Sequence, residues 1–232
     1  MNKATNATDL LVATNPCKIV YSKKAWMKTC LLVMNRNLEV GWHGVVRRSE
    51  NPAEFIVEDV LVFPQKVTSA STEASTEPED ADYVNWQDSL NTEIFNKVRL
   101  YGHSHVNMGV SPSSTDIKYR ADLLTDVDDF YVFQIFNKKG YISSQVYDVR
   151  EGILYESDNV ELAVERWNVA VYDLCRGLFD NIDRFEKVDV RDVQDGIEWI
   201  MNAASEFEEF MEDADKIIDE RPDWRDGKML IK

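Results

Sequence analysis

The chain has 232 residues, 44% of them apolar and 11% aromatic, enough for one sizeable domain with an extension or for two small domains. Its formal charge of −16 would be repelled by a phosphate backbone, which excludes nucleic acid as an expected partner. No segment approaches the roughly 20 consecutive apolar residues of a membrane span, so no membrane partner is expected either.

Residues 1–16 are polar and lack an apolar core, and they are expected to form a flexible tail, not a secretory signal. Cys17, Cys30 and Cys175 are odd in number, widely spaced and without a C-x-x-C pair, so they are read as reduced thiols acting as small apolar residues. Reduced thiols suit a cytoplasmic location. Ser22 is placed to cap a helix running to about Asn35, with Ala25, Trp26, Thr29, Leu32 and Val33 on one face. A turn at 35–37 precedes a strand from Leu38 to Val46. Its two glycines, Gly41 and Gly44, suggest close approach of another group. Phe55 to Phe63 reads as a second strand, ended by Pro64.

Residues 68–82 contain no large apolar side chain and are expected to be a mobile acidic loop, either a surface insertion or a flap over a neighbouring site. Tyr83 to Lys97 is predicted as a helix with Val84, Leu90, Ile94 and Val98 inward. Val98 to His105 is predicted as a strand leading into a loop. Ser113 starts a helix to about Leu124 with Ile117, Ala121 and Leu124 as its apolar stripe. The runs 130–136 and 141–147 form a hairpin around Lys138-Lys139-Gly140.

Charge changes near residue 150: residues 1–150 carry a net −3 and residues 151–232 a net −13. That break marks the expected boundary. Beyond it Val160, Val164, Trp167, Val171, Leu174 and Leu178 are spaced as on a helix. Val193, Ile197, Ile200, Ala204, Phe207, Met211, Ala214 and Ile218 alternate steps of 4 and 3, the pattern of a helical hairpin or an oligomer seam. Pro222 is placed to end that helix.

Two of the three histidines, His103 and His105, stand two apart on an extended segment, where side chains at i and i+2 share a face. Both imidazoles can therefore reach one ion. Asp116, in the first turn of the following helix, can bring a carboxylate to the same point across the loop 106–112. Three protein ligands with a fourth position left for water is the usual form of a catalytic zinc site. His43, the third histidine, is read as structural or as a neighbour of the site, since three ligands are already present.

The full arrangement, His103-x-His105-x7-Ser113-x-x-Asp116 with a glutamate upstream, resembles the signature of the JAMM (MPN-plus, JAB1/Mov34) zinc metalloproteases. The resemblance spans residues 39–116, and the order of elements from about 18 to 150 is also similar. It implies an α/β fold in which an MPN-type sheet is sandwiched by helices, with cytidine-deaminase-like layering. Residues 17–150 would be that metalloprotease domain, and 151–232 an acidic, all-helical C-terminal extension.

It also implies one Zn2+ per chain held by His103, His105 and Asp116. Ser113 would then donate to the developing oxyanion, and a glutamate would act as proton acceptor. Glu39 stands where the family has its catalytic glutamate, although the first glycine after it falls one place early; Glu50, Glu54 and Glu58 are the alternatives. Many members have proline after the second histidine, where this chain has Val106. The resemblance implies hydrolysis of a peptide or isopeptide bond, with ubiquitin or a ubiquitin-like protein released from a lysine. The partner would be a protein substrate with an extended C-terminal tail. The alternative is an MPN-type scaffold that binds a basic or helical partner, or assembles as a homo- or hetero-oligomer, through its C-terminal helices.

Overall fold

A computed structural model of the protein describes residues 10–67, 72–74, 82–165 and 190–220. Cys175, Trp167 to Leu178 and Pro222 lie outside the described residues, as does most of the 68–82 loop.

The chain order is β1 (Leu11–Val12), β2 (Cys17–Tyr21), α1 (Lys23–Asn35), β3 (Gly41–Arg48), β4 (Glu54–Leu61), β5 (Gln65–Val67) and β6 (Thr72–Ala74). Helices α2 (Asp82–Ser89) and α3 (Thr92–Asn96) follow, then β7 (Val98–Ser104) and α4 (Ser114–Leu123). The chain continues with β8 (Phe130–Phe136), β9 (Ile142–Asp148), β10 (Ile153–Tyr155), β11 (Val160–Val164), α5 (Val190–Ile217) and β12 (Ile218–Glu220). Nine strands form one mixed sheet in the order β1-β10-β9-β8-β7-β3-β4-β2-β11, and β12-β5-β6 form a second, small sheet.

The expected fold class is corrected by this topology. The sheet is not the interior of a helix sandwich followed by an all-helical extension; the described residues are strand-rich, with five helices among them. The stretch expected to open the helical extension supplies two strands instead. Val160, Leu162 and Val164 alternate along β11, which pairs in parallel with β2 from Val160↔Cys17 to Val164↔Tyr21. A four-residue step such as Val160 to Val164 fits a helix face and a strand face equally well, and the sheet decides for the strand.

The two faces of the sheet are unequally covered. The main core, including Tyr21, Trp26, Leu32, Trp42, Phe55, Leu100, Phe130 and Val132, lies under α1. Ser22 caps that helix through Ala25 N–H, and Ala25, Trp26, Thr29, Leu32 and Val33 are buried, as their spacing predicts. The opposite face holds a smaller cluster of Leu124, Tyr131 and Phe133 beside α4. Of the expected stripe only Leu124, just past α4, is buried; Ile117 is 59% exposed, Ala121 is exposed, and Arg120 is the one buried residue of the helix itself.

The predicted 83–97 helix is two short helices, because Asn91 accepts from Ile94 N–H and restarts the chain as α3. Neither α2 nor α3 has a buried residue. Further along, α5 turns its Phe207 and Ala214 onto the molecule, with Phe210 partly buried, while Ala204 is exposed. Acid–base pairs Lys24–Glu206 and Arg36–Asp215 join α5 to α1 and the loop after it. Among the described residues, no helix is long and apolar enough to cross a membrane.

Candidate metal centre

Strand β7 presents His103 at its end and His105 just beyond it, with Gly102 between strand and core. A Cβ at Gly102 would lie 2.4 Å from Trp42 Nε1, so only glycine lets the indole pack under this strand. His105 N–H donates to Phe136 C=O at 2.8 Å, and the chain then turns sharply, with Val106 at φ 47° and Met108 N–H returning to His105 C=O at 2.8 Å. A β-branched residue rarely adopts that conformation. The turn sends the chain toward α4.

Ser113 caps α4. Its Oγ accepts from Asp116 N–H at 3.1 Å, while Ser113 N–H donates to Asp116 Oδ2 at 2.6 Å. This reciprocal pair satisfies two otherwise unpaired helix-start donors and fixes the carboxylate. Ser113, not its neighbour Ser114, is the cap. Its hydroxyl hydrogen is not used by the cap and remains a donor.

The three expected ligands converge. His103 Nε2 lies 3.1 Å from His105 Nε2 and 3.1 Å from Asp116 Oδ1, and His105 Nε2 lies 3.6 Å from Asp116 Oδ2. All three can contribute one donor atom within 4.8 Å of the others. His103 and His105 are buried, and Asp116 is largely so. His105 Nδ1 donates to Gly109 C=O at 2.6 Å, which leaves the Nε2 lone pair facing His103 and Asp116.

Burial pulls the His103 pKa down, with Asp116 opposing, so this ring tends to be neutral. The Asp116 bond raises His105 against the effect of burial. For Asp116, burial would raise the pKa, but its bonds to both histidines hold the carboxyl far below the usual range.

Glu39 lies in the irregular segment between α1 and β3, not in the strand itself, and is 5% exposed. Burial lifts its carboxyl to about 7, with His105 lowering and Asp116 raising it, so its charge senses both groups. The alternatives are engaged or exposed: Glu58 pairs with Arg47 at 2.7 Å, Glu54 begins β4, and Glu50 is exposed. His43 is not among the converging groups. It sits in an aromatic cluster with Phe63, Tyr83, Trp86 and Tyr101, bonded to Tyr83 Oη at 2.9 Å, and burial takes its pKa down to about 4. The Tyr101 ring separates it from His103.

A small pocket behind His103 and Asp116 is lined by Tyr101, Tyr119, Arg120, Phe133, Gln134 and Ile135. Sequence reasoning did not single out Gly102, Gly109 or Arg120. The Ser-x-x-Asp capping pattern was the one visible signal for how Asp116 is held.

No protein-family model matches the chain, and no curated protein matches it. Among solved structures, the solution structure of protein DSY2949 from Desulfitobacterium hafniense is similar at a TM-score of 0.40 and 14% identity, covering 64% of this chain and 93% of that one.

Proposed function

We propose that the chain is a zinc-dependent hydrolase of the JAMM type that cleaves a peptide or isopeptide bond, with a ubiquitin-like tail on a lysine as its substrate class. One observation carries this reading. The Nε2 atoms of His103 and His105 and the Asp116 carboxylate converge at 3.1–3.6 Å. Ligands about 2.0–2.1 Å from a tetrahedral zinc stand about 3.3 Å apart, so the donor set fits that ion. Lone pairs held this close repel unless a cation or proton lies between them. Bound there, zinc would polarise the scissile carbonyl and acidify a water in its fourth position.

The chain's own residues supply the rest. Glu39, buried beside His105 and Asp116, accepts a proton and returns it to the leaving amine. Ser113 Oγ–H, free of the cap, donates to the carbonyl oxygen as it gains charge. The substrate tail would lie extended beside the site.

Metal analysis of the purified protein tests the reading. About one zinc per chain is expected, His105→Ala should lose it, and chelator should reversibly stop cleavage of a ubiquitin-like probe bearing a C-terminal isopeptide-linked reporter. Protein without zinc, or an alanine variant that keeps it, would sink the proposal.

A second reading, an interaction scaffold, is favoured by the exposed acidic side of α5, where Glu208, Glu209, Glu212 and Asp213 face outward. Glu39→Gln separates the two: full cellular function in that variant would select the scaffold.

A further inference from the structure

Residues 36–40 belong to neither α1 nor β3, so the backbone around Glu39 is held by contacts outside regular structure. Both polar groups of the next two residues are gripped. Val40 N–H donates to Ser104 Oγ at 3.3 Å, and Val40 C=O accepts from Ser104 N–H at 2.9 Å. Gly41 N–H donates to Gln65 Oε1 at 2.7 Å, and Gly41 C=O accepts from Gln65 Nε2 at 2.9 Å. The same Nε2 donates to Phe63 C=O at 3.0 Å.

Gln65 is 1% exposed, which is costly for an amide unless its hydrogen bonds are made, and here three are. It also opens β5, where the register places Ala74 of β6 opposite it on one side and Ile218 of β12 on the other. One side chain therefore joins the segment carrying Glu39 to a sheet built from two sequence-distant pieces.

We propose that Gln65 is a positioning residue for Glu39: its amide fixes Gly41, and through it the approach of the Glu39 carboxyl to an ion held by His103, His105 and Asp116. This rests on the reading of Glu39 as the base. It also makes β6 and the C-terminal strand β12 neighbours of the chemistry through Gln65, although neither contributes a ligand.

The test uses full-length protein loaded with Co2+, comparing wild type, Gln65→Met, Gln65→Glu, Glu39→Gln and the double variant Glu39→Gln/Gln65→Met. Thermal melts establish folding, and competition titration measures zinc affinity. The pH midpoint of the Co2+ visible band reports how the base meets the ion, whereas a merely structural role would leave it unmoved. Zinc affinity should stay within about threefold in every variant, because losing a direct orienter of a ligand typically costs 10–100-fold.

Glu39→Gln should move the midpoint, Gln65→Met should move it in the same direction by more than half as much, and the double variant should add nothing further. Gln65→Glu keeps the length and the acceptor for Gly41 N–H. It should give an intermediate shift and carries the test alone if Gln65→Met does not fold. A wild-type midpoint in the Gln65 variants beside a shifted Glu39→Gln overturns the positioning role alone. An unshifted Glu39→Gln overturns the base assignment and the positioning role together. A large loss of zinc affinity in the Gln65 variants also overturns the proposal, since Gln65 would then be bracing ligands.

Discussion

A carboxyl group buried beside a second carboxylate is costly to ionise, and Glu39 is in that position. Burial lifts its pKa from 4.5 to about 7 in the metal-free protein. The folded state therefore holds the Glu39 proton across a window in which the unfolded chain has released it. Stability from this group is complete below 4.5 and is lost as pH rises through about 7. Glu39→Gln removes the titration, so in chelator the variant should be more stable than wild type at pH 8 by up to about 3 kcal/mol, with the gap closing toward pH 4. Urea midpoints at the two pH values measure it, and a gap that does not depend on pH would contradict the assignment. Val106 offers a second residue-scale case. Its φ of 47° carries strain of about 1–3 kcal/mol for a β-branched side chain, against about 0.5–1 kcal/mol of added chain entropy for glycine. Val106→Gly should raise stability by about 1 kcal/mol, read from the same midpoints.

At the scale of elements, the cap of α4 and the packing of β7 bear most directly on the site. Ser113→Ala removes the side-chain half of the capping box and should cost about 1 kcal/mol, whereas Ser114→Ala should stay within about 0.5 kcal/mol of wild type. If Ser113 also donates to the oxyanion, kcat should fall by a further factor of about 10²–10³ in that variant alone. For β7, Gly102→Ala would drive a methyl group against Trp42 and should cost about 1–3 kcal/mol or more, less so in a Trp42→Leu background. Equal costs in the two backgrounds would show that the clash is relieved elsewhere.

The same elements explain what the sequence made legible. His103, His105, Ser113 and Asp116 lie within 14 residues, and strand alternation plus a first-turn position suffices to bring them together. Strands β10 and β11 were hidden because their partners, β9 and β2, are chosen by long-range pairing that spacing alone does not encode. The two-helix form of 83–97 was hidden by Asn91, a cap inside what reads as a single apolar period.

For the whole molecule, the acidic C-terminal segment raises the question of whether it folds with the sheet or separately from it. Its net charge of −13 from residue 151 onward marks the expected boundary, and across it α5 buries Phe207 and Ala214 and extends into β12, where Ile218 is buried beside β5. Basic residues on and after α1 reach α5: Lys24 pairs with Glu206, Arg36 with Asp215, and Lys28 lies over the Phe210 ring at 4.8 Å. Lys28 is in turn paired with Asp59 of β4 at 2.7 Å, so the contact reaches the sheet. Charge alone could not reveal this, because the positive partners lie some 180 residues away in the chain.

If α5 shares the core, its loss must be felt everywhere at once. Ala214→Asp places an unpaired carboxylate where the native residue is 1% exposed, at a cost of several kcal/mol. In protein loaded with zinc, the variant should show one lowered transition, with helix ellipticity, tryptophan fluorescence and release of the ion coinciding. An independent extension would instead lose helix signal first while the zinc stayed in place. Two separated transitions would therefore assign α5 to its own folding unit and remove β12 as a support for β5 and Gln65.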